Sequence, residues 1–334
     1  MNIIAACIGN RIIYWDSIIL AASAAVCFCL FMAYYSVNGG GTLSIIISVP
    51  VSFALSLLMS RIIYWYCHQE QFSGIKSALF SYSHGSFCIV GIIIGFLISA
   101  VILKTISAEK DMGLFLDCSA PGLSAGLVLV RLSSLFNSSC RGKIVISTEY
   151  LQRLPLASCV NTSSGITEYR LATFFLEAIA FGLIFVVVVI HFAVSYSENQ
   201  GKKPKHGAVF ETFIVLYGVI ELISESTRYD AAFFTFNAFI SVAQMASAVA
   251  VSILFTAYII GMINKRGFRP ADVILIIVYL LSVAGVGISE YLVQRHANWY
   301  ASCYVCMGVC CILMAIITFW ARGRFIRCSQ VTDA

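Results

Sequence analysis

The segment LYGVIELISESTRYD, residues 216–230, places acidic and basic side chains within an otherwise apolar stretch of the chain. On an α-helix, which turns 100° per residue, Tyr217, Glu221, Glu225 and Arg228 fall within one quarter of the helix surface. Charged side chains at membrane depth are costly unless they pair or line a polar cavity. We call residues 216–230 the charged segment and interpret it as one wall of such a cavity.

The spacing within the charged segment predicts which charges pair. Arg228 lies three residues after Glu225, so these two side chains are expected to form the local ion pair. Glu221 and Glu225 repel each other at i, i+4, so at least one of them should be paired or protonated. Glu221 is then left to find a cation on another helix, and the candidates are Arg131, Arg170 and Arg61.

The chain as a whole has the composition of an integral membrane protein. Of its 334 residues, 60% are hydrophobic and 11% are charged, whereas soluble domains have roughly 25% charged residues. A helix of about 20 apolar residues crosses the hydrocarbon layer of a bilayer. The sequence predicts an all-α polytopic bundle of nine such helices, at roughly residues 13–36, 43–66, 87–105, 113–136, 171–196, 208–224, 235–262, 273–292 and 299–320.

The distribution of Lys and Arg predicts how these helices are oriented. Eleven basic residues fall on the loops of one side, against four on the short loops of the other side. The amino terminus is therefore expected outside and the carboxyl terminus in the cytoplasm. Arg61, His84, Arg131, Glu177 and the charged segment then all lie near the outer ends of their helices. The alternative to a shared cavity is a set of interhelical ion pairs with no chemical role.

The 13 cysteines lie mostly in the predicted helices, where cysteine behaves as a small apolar residue. The stretch CYVCMGVCC at 303–311 has no His or acidic residue nearby, so we predict no metal site there. Cys140 and Cys159 share one long polar loop, residues 137–170, and whether they form a disulfide stays open. The basic residues are scattered near helix ends, which does not indicate nucleic-acid binding.

Several segments occur in an order that resembles the prolipoprotein diacylglyceryl transferases, seven-helix enzymes of the bacterial cytoplasmic membrane. They are RIIYWYC (61–67), SYSHGSFCIVGIIIGF (81–96), DCSAPGLSAGLVLVRLSSLFNSSCRG (117–142), TEYRLATFFLEAIAFG (167–182) and the charged segment. The resemblance covers about residues 11–262, and Gln244 and Ser247 lie in its last helix. It implies a transferase-like membrane core at 1–262, with the loop 137–170 outside. Two additional helices and a short basic cytoplasmic tail would follow at 263–334.

The resemblance implies a reaction that needs no cofactor. A diacylglyceryl group would move from phosphatidylglycerol, a lipid of the surrounding bilayer, to the lipobox cysteine of a prolipoprotein, and prolipoprotein signal peptides would be the protein partners. A base must help to form the thiolate, which is the nucleophile, and a cation must hold the phosphate as it leaves.

The same resemblance implies which residues act in this reaction. His84-Gly85 matches the family's HG pair and implies that His84 activates the thiol, while Arg131 matches a signature arginine and implies phosphate binding. The implied catalytic residues are His84, Arg131, Tyr217 and Glu225. The implied substrate-binding residues are Arg131, Arg228, Asn137, Gly142, Arg61 and Arg170. Further matches to the family's signatures are Asp230 and, in its DxxAPG stretch, Asp117, Ala120, Pro121 and Gly122.

The chain also departs from the family's signatures. Ser134 stands where the signature has Asn, Ser139 where it has Glu, and Glu221 where it has a second arginine. The last change reverses the charge where an anionic head group should bind. Either another cation, Arg61 or Arg170, compensates for that change, or the substrate differs.

Three other functions are therefore kept as alternatives. One is a non-catalytic paralogue that binds lipid or lipoprotein in the same cavity. Another is a transferase with an altered donor or acceptor. The third is a transporter, since transporters contain discontinuous helices and Pro121 would interrupt the fourth predicted helix.

Overall fold

The computed structural model of the protein describes residues 4–8, 11–80, 87–106, 111–137, 140–161, 167–197, 207–234, 239–295 and 300–332. Three residues named above, His84, Gly85 and Ser139, lie outside these ranges. The described chain is mostly helical and divides into two compact units, Met1–Phe213 and Ile214–Ala334. The division into a core at 1–262 and an addition at 263–334 stays a prediction.

The first unit opens with a short antiparallel hairpin and is otherwise built from helices joined by structured loops. Its elements are β1 (Ile4–Ile8), β2 (Arg11–Tyr14), α1 (Trp15–Val37), α2 (Thr42–Cys67), a 3-10 turn (Gln69–Gln71), α3 (Ile75–Phe80), α4 (Ile89–Thr105), α5 (Met112–Ser133), α6 (Glu149–Gln152), β3 (Ala157–Asn161), β4 (Thr167–Leu171) and α7 (Thr173–Ser197).

Glycines allow the helices of the first unit to approach closely. Helix α1 packs on α5, α2 on α4, and α5 on α7. A Cβ added at Gly91 of α4 would lie 2.4 Å from the Cα of Ser60, and one at Gly122 of α5 would lie 2.4 Å from the carbonyl oxygen of Cys27. Small residues at such contacts are typical of helix packing in membranes.

Helix α5 continues through Pro121, so the expected interruption at this residue is wrong. A proline removes one backbone hydrogen bond, but membrane helices tolerate that loss when neighbouring groups support the chain. Here Ala120, Pro121 and Gly122 are all buried by packing, and the hydroxyl of Ser124 donates to the carbonyl oxygens of Ala120 (2.9 Å) and Pro121 (3.0 Å). The feature that suggested a transporter is therefore missing from this helix.

The loop at 137–170 is not irregular throughout, because it contains α6 and most of a β-hairpin. Strands β3 and β4 pair antiparallel, from Ala157 opposite Leu171 to Asn161 opposite Thr167. The chain at 142–146 runs along the other side of β4, where Gly142 N donates to Leu171 O (2.8 Å) and Ile146 N donates to Tyr169 O (2.7 Å). The hairpin leads directly into α7.

The second unit contains most of α8 (Ala208–Thr227), α9 (Val242–Arg266), α10 (Pro270–Arg295) and α11 (Tyr300–Thr332). One apolar cluster joins these four helices and includes Val219, Leu222, Phe255, Tyr279 and Met307. Helix α9 begins with a capping box, in which Ser241 and Gln244 satisfy each other's backbone N–H groups. The described residues just before Ser241 are therefore not helical, although the sequence placed them in the span.

Among the described residues, seven helices are long and apolar enough to cross a membrane, namely α1, α2, α5, α7, α9, α10 and α11. The expected class, an all-α polytopic membrane protein, is confirmed at this level. Helices α4 and α8 occupy the two remaining predicted positions. Helix α4 has 17 residues, and α8 contains the acidic residues Glu211, Glu221 and Glu225. The count of nine crossings stays a prediction.

Candidate active site

Arg131 is a deeply buried cation of the first unit. It lies near the end of α5, with a relative exposure of 1%. Its Nε atom is 2.8 Å from Oε2 of Glu177 on α7, its Nη1 donates to the Cys140 sulfur at 3.3 Å, and its guanidinium carbon is 5.7 Å from the centre of the Phe181 ring. A buried charge requires such partners. The packing of α5 against α7 therefore provides a fixed guanidinium.

Gly142 lies at a close approach between two segments of chain. A Cβ at this position would be 2.7 Å from Leu171 O, 2.8 Å from Leu171 Cβ and 3.0 Å from the Thr173 hydroxyl. Cys140, two residues earlier, has the unusual φ of 56° and accepts a hydrogen bond from Phe174 N through its carbonyl oxygen. These contacts hold the chain after α5 against the start of α7, and they place the Cys140 thiol next to Arg131.

Arg141 organises the same turn, although its sequence position alone did not point to a role. Its Nη2 donates to the carbonyl oxygens of Asn137 (2.8 Å) and Ser134 (3.3 Å), and its guanidinium lies 4.9 Å from the Phe174 ring centre. Burial lowers the pKa of Arg141 below its ordinary value, and the neighbouring thiols of Cys140 and Cys159 partly offset that effect. A signal was present in the sequence, since Arg141 adjoins Gly142 within the signature stretch.

The remaining predicted residues of this stretch have partners near the turn. The Asn137 side chain donates to Asp16 Oδ2 at 3.5 Å, a long contact. Ser134 is buried, and its carbonyl accepts from Arg141. Cys140 is buried and Cys159 is exposed, and the two are not joined by a disulfide.

Arg61 and Arg170 differ in their surroundings. Arg61, near the end of α2, is 4% exposed, and its guanidinium carbon lies 6.0 Å and 5.8 Å from the ring centres of Phe72 and Phe87. Arg170 lies on β4, where its Nη2 is 2.9 Å from Glu168 Oε2. An ion pair between Arg170 and Glu221 stays a prediction.

In the second unit, the local ion pair of the charged segment is confirmed. Nη1 of Arg228 lies 2.7 Å from Oε2 of Glu225, and Nε of the same arginine lies 3.2 Å from Oδ1 of Asp230. Tyr217, Glu221 and Glu225 are all buried. These three residues therefore lie on a buried face of α8, whereas Tyr229 and Asp230, which follow the helix, are exposed.

Gln244 and Ser247, on α9, contact the charged segment within this unit. The Gln244 side-chain amide donates to Leu222 O at 3.3 Å. A Cβ at Gly218 would lie 3.3 Å from Ser247 O and 2.7 Å from a Val251 methyl group. Gln244 thus links α9 to α8 by a hydrogen bond, and Ser247 lies where the two helices approach closely. The predicted convergence of the charged segment with Arg61, Arg131 and His84 stays a prediction.

Asp117 has a structural role at the beginning of α8. It is fully buried, and its carboxylate accepts from the backbone N–H groups of Gly207 (2.8 Å), Val209 (2.9 Å) and Phe210 (2.8 Å) and from the Tyr196 hydroxyl (3.1 Å). A carboxylate at a helix N-terminus satisfies N–H groups that have no partner within the helix. The match of Asp117 to the DxxAPG stretch thus corresponds to a contact that fixes the start of α8.

Comparison with known proteins identifies the family. The sequence profile described as prolipoprotein diacylglyceryl transferase matches residues 3–261. The chain belongs to the prolipoprotein diacylglyceryl transferase family. The resemblance deduced from the motifs is therefore confirmed.

Individual members of the family are distant relatives of the chain. A phosphatidylglycerol–prolipoprotein diacylglyceryl transferase of Clostridium kluyveri is 26% identical over 264 residues, which are 78% of this chain and 98% of the relative. The enzyme of the same name from Lactococcus lactis subsp. lactis is 26% identical over 231 residues, 69% of this chain and 84% of the relative.

The site of this family member has two features that its signatures alone do not indicate. Arg131 is already paired with a carboxylate, Glu177, and the turn after α5 depends on Arg141.

Among the described residues, no group of three or more His, Cys, Asp or Glu side chains could hold a metal ion.

Proposed function

We propose that this protein transfers a diacylglyceryl group from phosphatidylglycerol to the lipobox cysteine of prolipoproteins. In this reaction the thiol sulfur forms a bond to the glycerol carbon, the bond from that carbon to the phosphate oxygen breaks, and glycerol phosphate leaves. The observation on which the proposal rests is the family match over residues 3–261. The buried, fixed guanidinium of Arg131 within that range supports it.

Arg131 is the proposed site for the donor phosphate. A guanidinium binds phosphate through paired N–H groups, and Glu177 lies on its Nε side while the Cys140 sulfur lies at Nη1. Sulfur is a weak acceptor, so we propose that a phosphate oxygen replaces Cys140 at Nη1. Glu177 would continue to hold the orientation of the guanidinium.

Arg61 is the proposed second cation, in place of the family arginine that Glu221 replaces. An attraction between charges is stronger where water is excluded. Arg61 is buried, whereas the Arg170 side chain and its partner Glu168 are partly exposed. We therefore favour Arg61 over Arg170, while Asn137 and Gly142 shape the turn that presents the phosphate site.

The thiol is proposed to be activated by His84, because a histidine can accept a proton near neutral pH. Tyr217 and Glu225 are proposed to act with it, and Arg228 to contact the substrate while Glu225 and Asp230 hold its side chain. The charged segment has three carboxylates and one guanidinium, so it is a poor site for phosphate. We assign it to the acceptor, the signal peptide with its lipobox cysteine.

The proposed setting is the bacterial cytoplasmic membrane, with nine crossings, the amino terminus outside and the carboxyl terminus in the cytoplasm. Helix α4, at 17 residues, is about 26 Å long, which approaches the roughly 30 Å hydrocarbon thickness. The acidic residues Glu221 and Glu225 of α8 are shielded by protein, which supports a crossing despite their charge.

A second candidate function is a non-catalytic or substrate-altered paralogue that binds lipid or lipoprotein in the same cavity. The observation that favours it is Glu221, which is 1% exposed and brings a negative charge to a position where the signature has arginine. The transferase would turn over phosphatidylglycerol and prolipoprotein, whereas the paralogue would not catalyse this transfer.

Complementation tests the proposal. A bacterial strain depleted of its own transferase is supplied with the wild-type chain, with His84→Ala, or with His68→Ala as the matched control. His68 lies at the end of α2 and stacks on Tyr64. We expect growth with the wild type and the control but not with His84→Ala at equal membrane levels. Growth with His84→Ala would remove the assigned base, and failure of the wild type would favour the non-catalytic paralogue.

A further inference from the structure

The two helices beyond the family match lie against the charged segment. The match ends at residue 261, and α10 and α11 follow it. Within the second unit, Val219 and Leu222 of α8 belong to one buried cluster with Val286 of α10 and with Met307 and Cys311 of α11. These additional helices therefore form part of the environment of α8.

A side chain of α11 takes part in the hydrogen bonding at the end of α8. The last carbonyl groups of a helix have no partner within it. The carbonyl of Ser224 accepts from the Thr227 hydroxyl at 2.8 Å, and that of Glu225 accepts from Arg228 N at 3.3 Å. The carbonyl of Ser226 accepts from the hydroxyl of Tyr304 at 3.3 Å.

Helix α10 contacts the chain that lies between α8 and α9. Glu290 of α10 is 2% exposed and accepts from the Gln294 side chain at 2.6 Å. The Tyr291 ring meets the Phe239 ring edge to face, with the centroids 5.7 Å apart. The extra helices thus contact the chain at the end of α8 and again before α9.

We propose that Tyr304 is a positioning residue for the Glu225–Arg228 pair. The peptide group of Ser226 lies between Glu225 and Arg228 in the chain, so a hydrogen bond to its carbonyl restricts how both side chains are presented. This inference rests on the proposed function, in which Glu225 acts in catalysis and Arg228 contacts the substrate. It gives α11 a role in the transfer reaction.

The test compares Tyr304→Phe with Tyr300→Phe in the full chain, because Tyr300 is an exposed tyrosine one turn earlier on the same helix. Hydrogen–deuterium exchange reports on the backbone at residues 224–230, and initial rates with phosphatidylglycerol and a lipobox peptide give kcat and KM.

We expect faster exchange at 224–230 in Tyr304→Phe alone. We also expect about a tenfold lower kcat, since small misplacements of reacting groups have large effects on rate, with the KM for phosphatidylglycerol within about twofold of the wild type.

The two measurements separate this inference from the proposed function. An inactive wild-type protein would contradict the proposed function, and the exchange experiment would still decide whether Tyr304 orders the end of α8. Unchanged exchange in Tyr304→Phe would overturn the inference whatever the activity. Faster exchange with a kcat equal to that of Tyr300→Phe would also overturn it, because Tyr304 would then only stabilise the fold.

Discussion

At the scale of single residues, Arg131 has two roles that can be separated experimentally. It is ion-paired with Glu177 in the interior, and we propose that it binds the donor phosphate. Arg131→Lys keeps the charge, but an ammonium group cannot donate two parallel hydrogen bonds to a phosphate as a planar guanidinium does. We expect transfer to fall by about two orders of magnitude, as is typical when one donor to the transition state is removed, while the protein stays folded.

The control for this variant is Arg153→Lys, at an exposed arginine of the long loop. Transfer rates and melting temperatures of both variants give the result. A second comparison is Glu177→Gln, which leaves the Arg131 charge buried without a carboxylate and should destabilise the protein by about 3–5 kcal/mol. Full transfer activity in Arg131→Lys would show that Arg131 serves only in its ion pair with Glu177.

Glu221 gives a second prediction at this scale. It is 1% exposed and, by the resemblance to the family's signature, stands where an arginine is expected, so Glu221→Arg would supply that arginine. We expect that the charges around Glu221 now match a carboxylate at this position. The arginine of the variant would then be a buried charge without compensation, and the variant would lose about 3–5 kcal/mol of stability.

Melting temperature and phosphatidylglycerol binding should be measured together on Glu221→Arg, with the exposed Glu149→Arg as control. Loss of stability without tighter lipid binding supports the rearranged network. A stable variant that binds more phosphatidylglycerol would show instead that Glu221 alone had weakened the lipid site.

At the scale of elements, Asp117 fixes the start of α8 to α5. Its carboxylate accepts three backbone N–H groups. Asp117→Asn keeps the size but replaces one acceptor oxygen with a donor, so at least one N–H group loses its partner. We expect a loss of about 1–3 kcal/mol, measured by thermal unfolding in detergent. Asp16→Asn, at a half-buried carboxylate near the start of α1, should change stability less, and equal losses in the two variants would contradict this role.

The helices could be predicted from the sequence and the smaller elements could not. Each long helix coincides with a long apolar run, because only such a run can lie in hydrocarbon. The hairpin of β3 and β4 was missed, since TEYRL and ASCVN are short and without a clear alternation of polar and apolar residues. Pro121 was misjudged because packing from other helices decides whether a proline breaks a membrane helix.

In the candidate site, a contact between residues close in sequence could be predicted, and contacts between residues far apart in sequence could not. The Glu225–Arg228 pair follows from a spacing of three residues and was predicted. The Arg131–Glu177 pair joins α5 to α7, and Arg131–Cys140 depends on a turn with an unusual backbone angle. Arg141 adjoins Gly142 in the signature stretch, but its contacts with Phe174 and with the carbonyl oxygens of the turn depend on the fold and could not be predicted from that position.

At the scale of the whole molecule, the predicted orientation can be tested with native cysteines. Cys159 is exposed in the long loop and Cys328 lies near the end of α11. If the amino terminus is outside, Cys159 faces outward and Cys328 faces the cytoplasm. In intact cells, a membrane-impermeant maleimide should label a variant that retains only Cys159 and not one that retains only Cys328. Labelling of Cys328 with protection of Cys159 would show that the orientation is the opposite of the predicted one.

The central claim is that this family member is an active transferase despite Ser134, Ser139 and Glu221. The most direct measurement uses the purified full chain with phosphatidylglycerol vesicles and a synthetic lipobox peptide, followed by mass spectrometry of the peptide. Our account predicts a peptide whose mass increases by one diacylglyceryl group on the cysteine sulfur, together with release of glycerol phosphate, and no such product with His84→Ala. Peptide and lipid that bind to the wild-type protein but remain unmodified would contradict it.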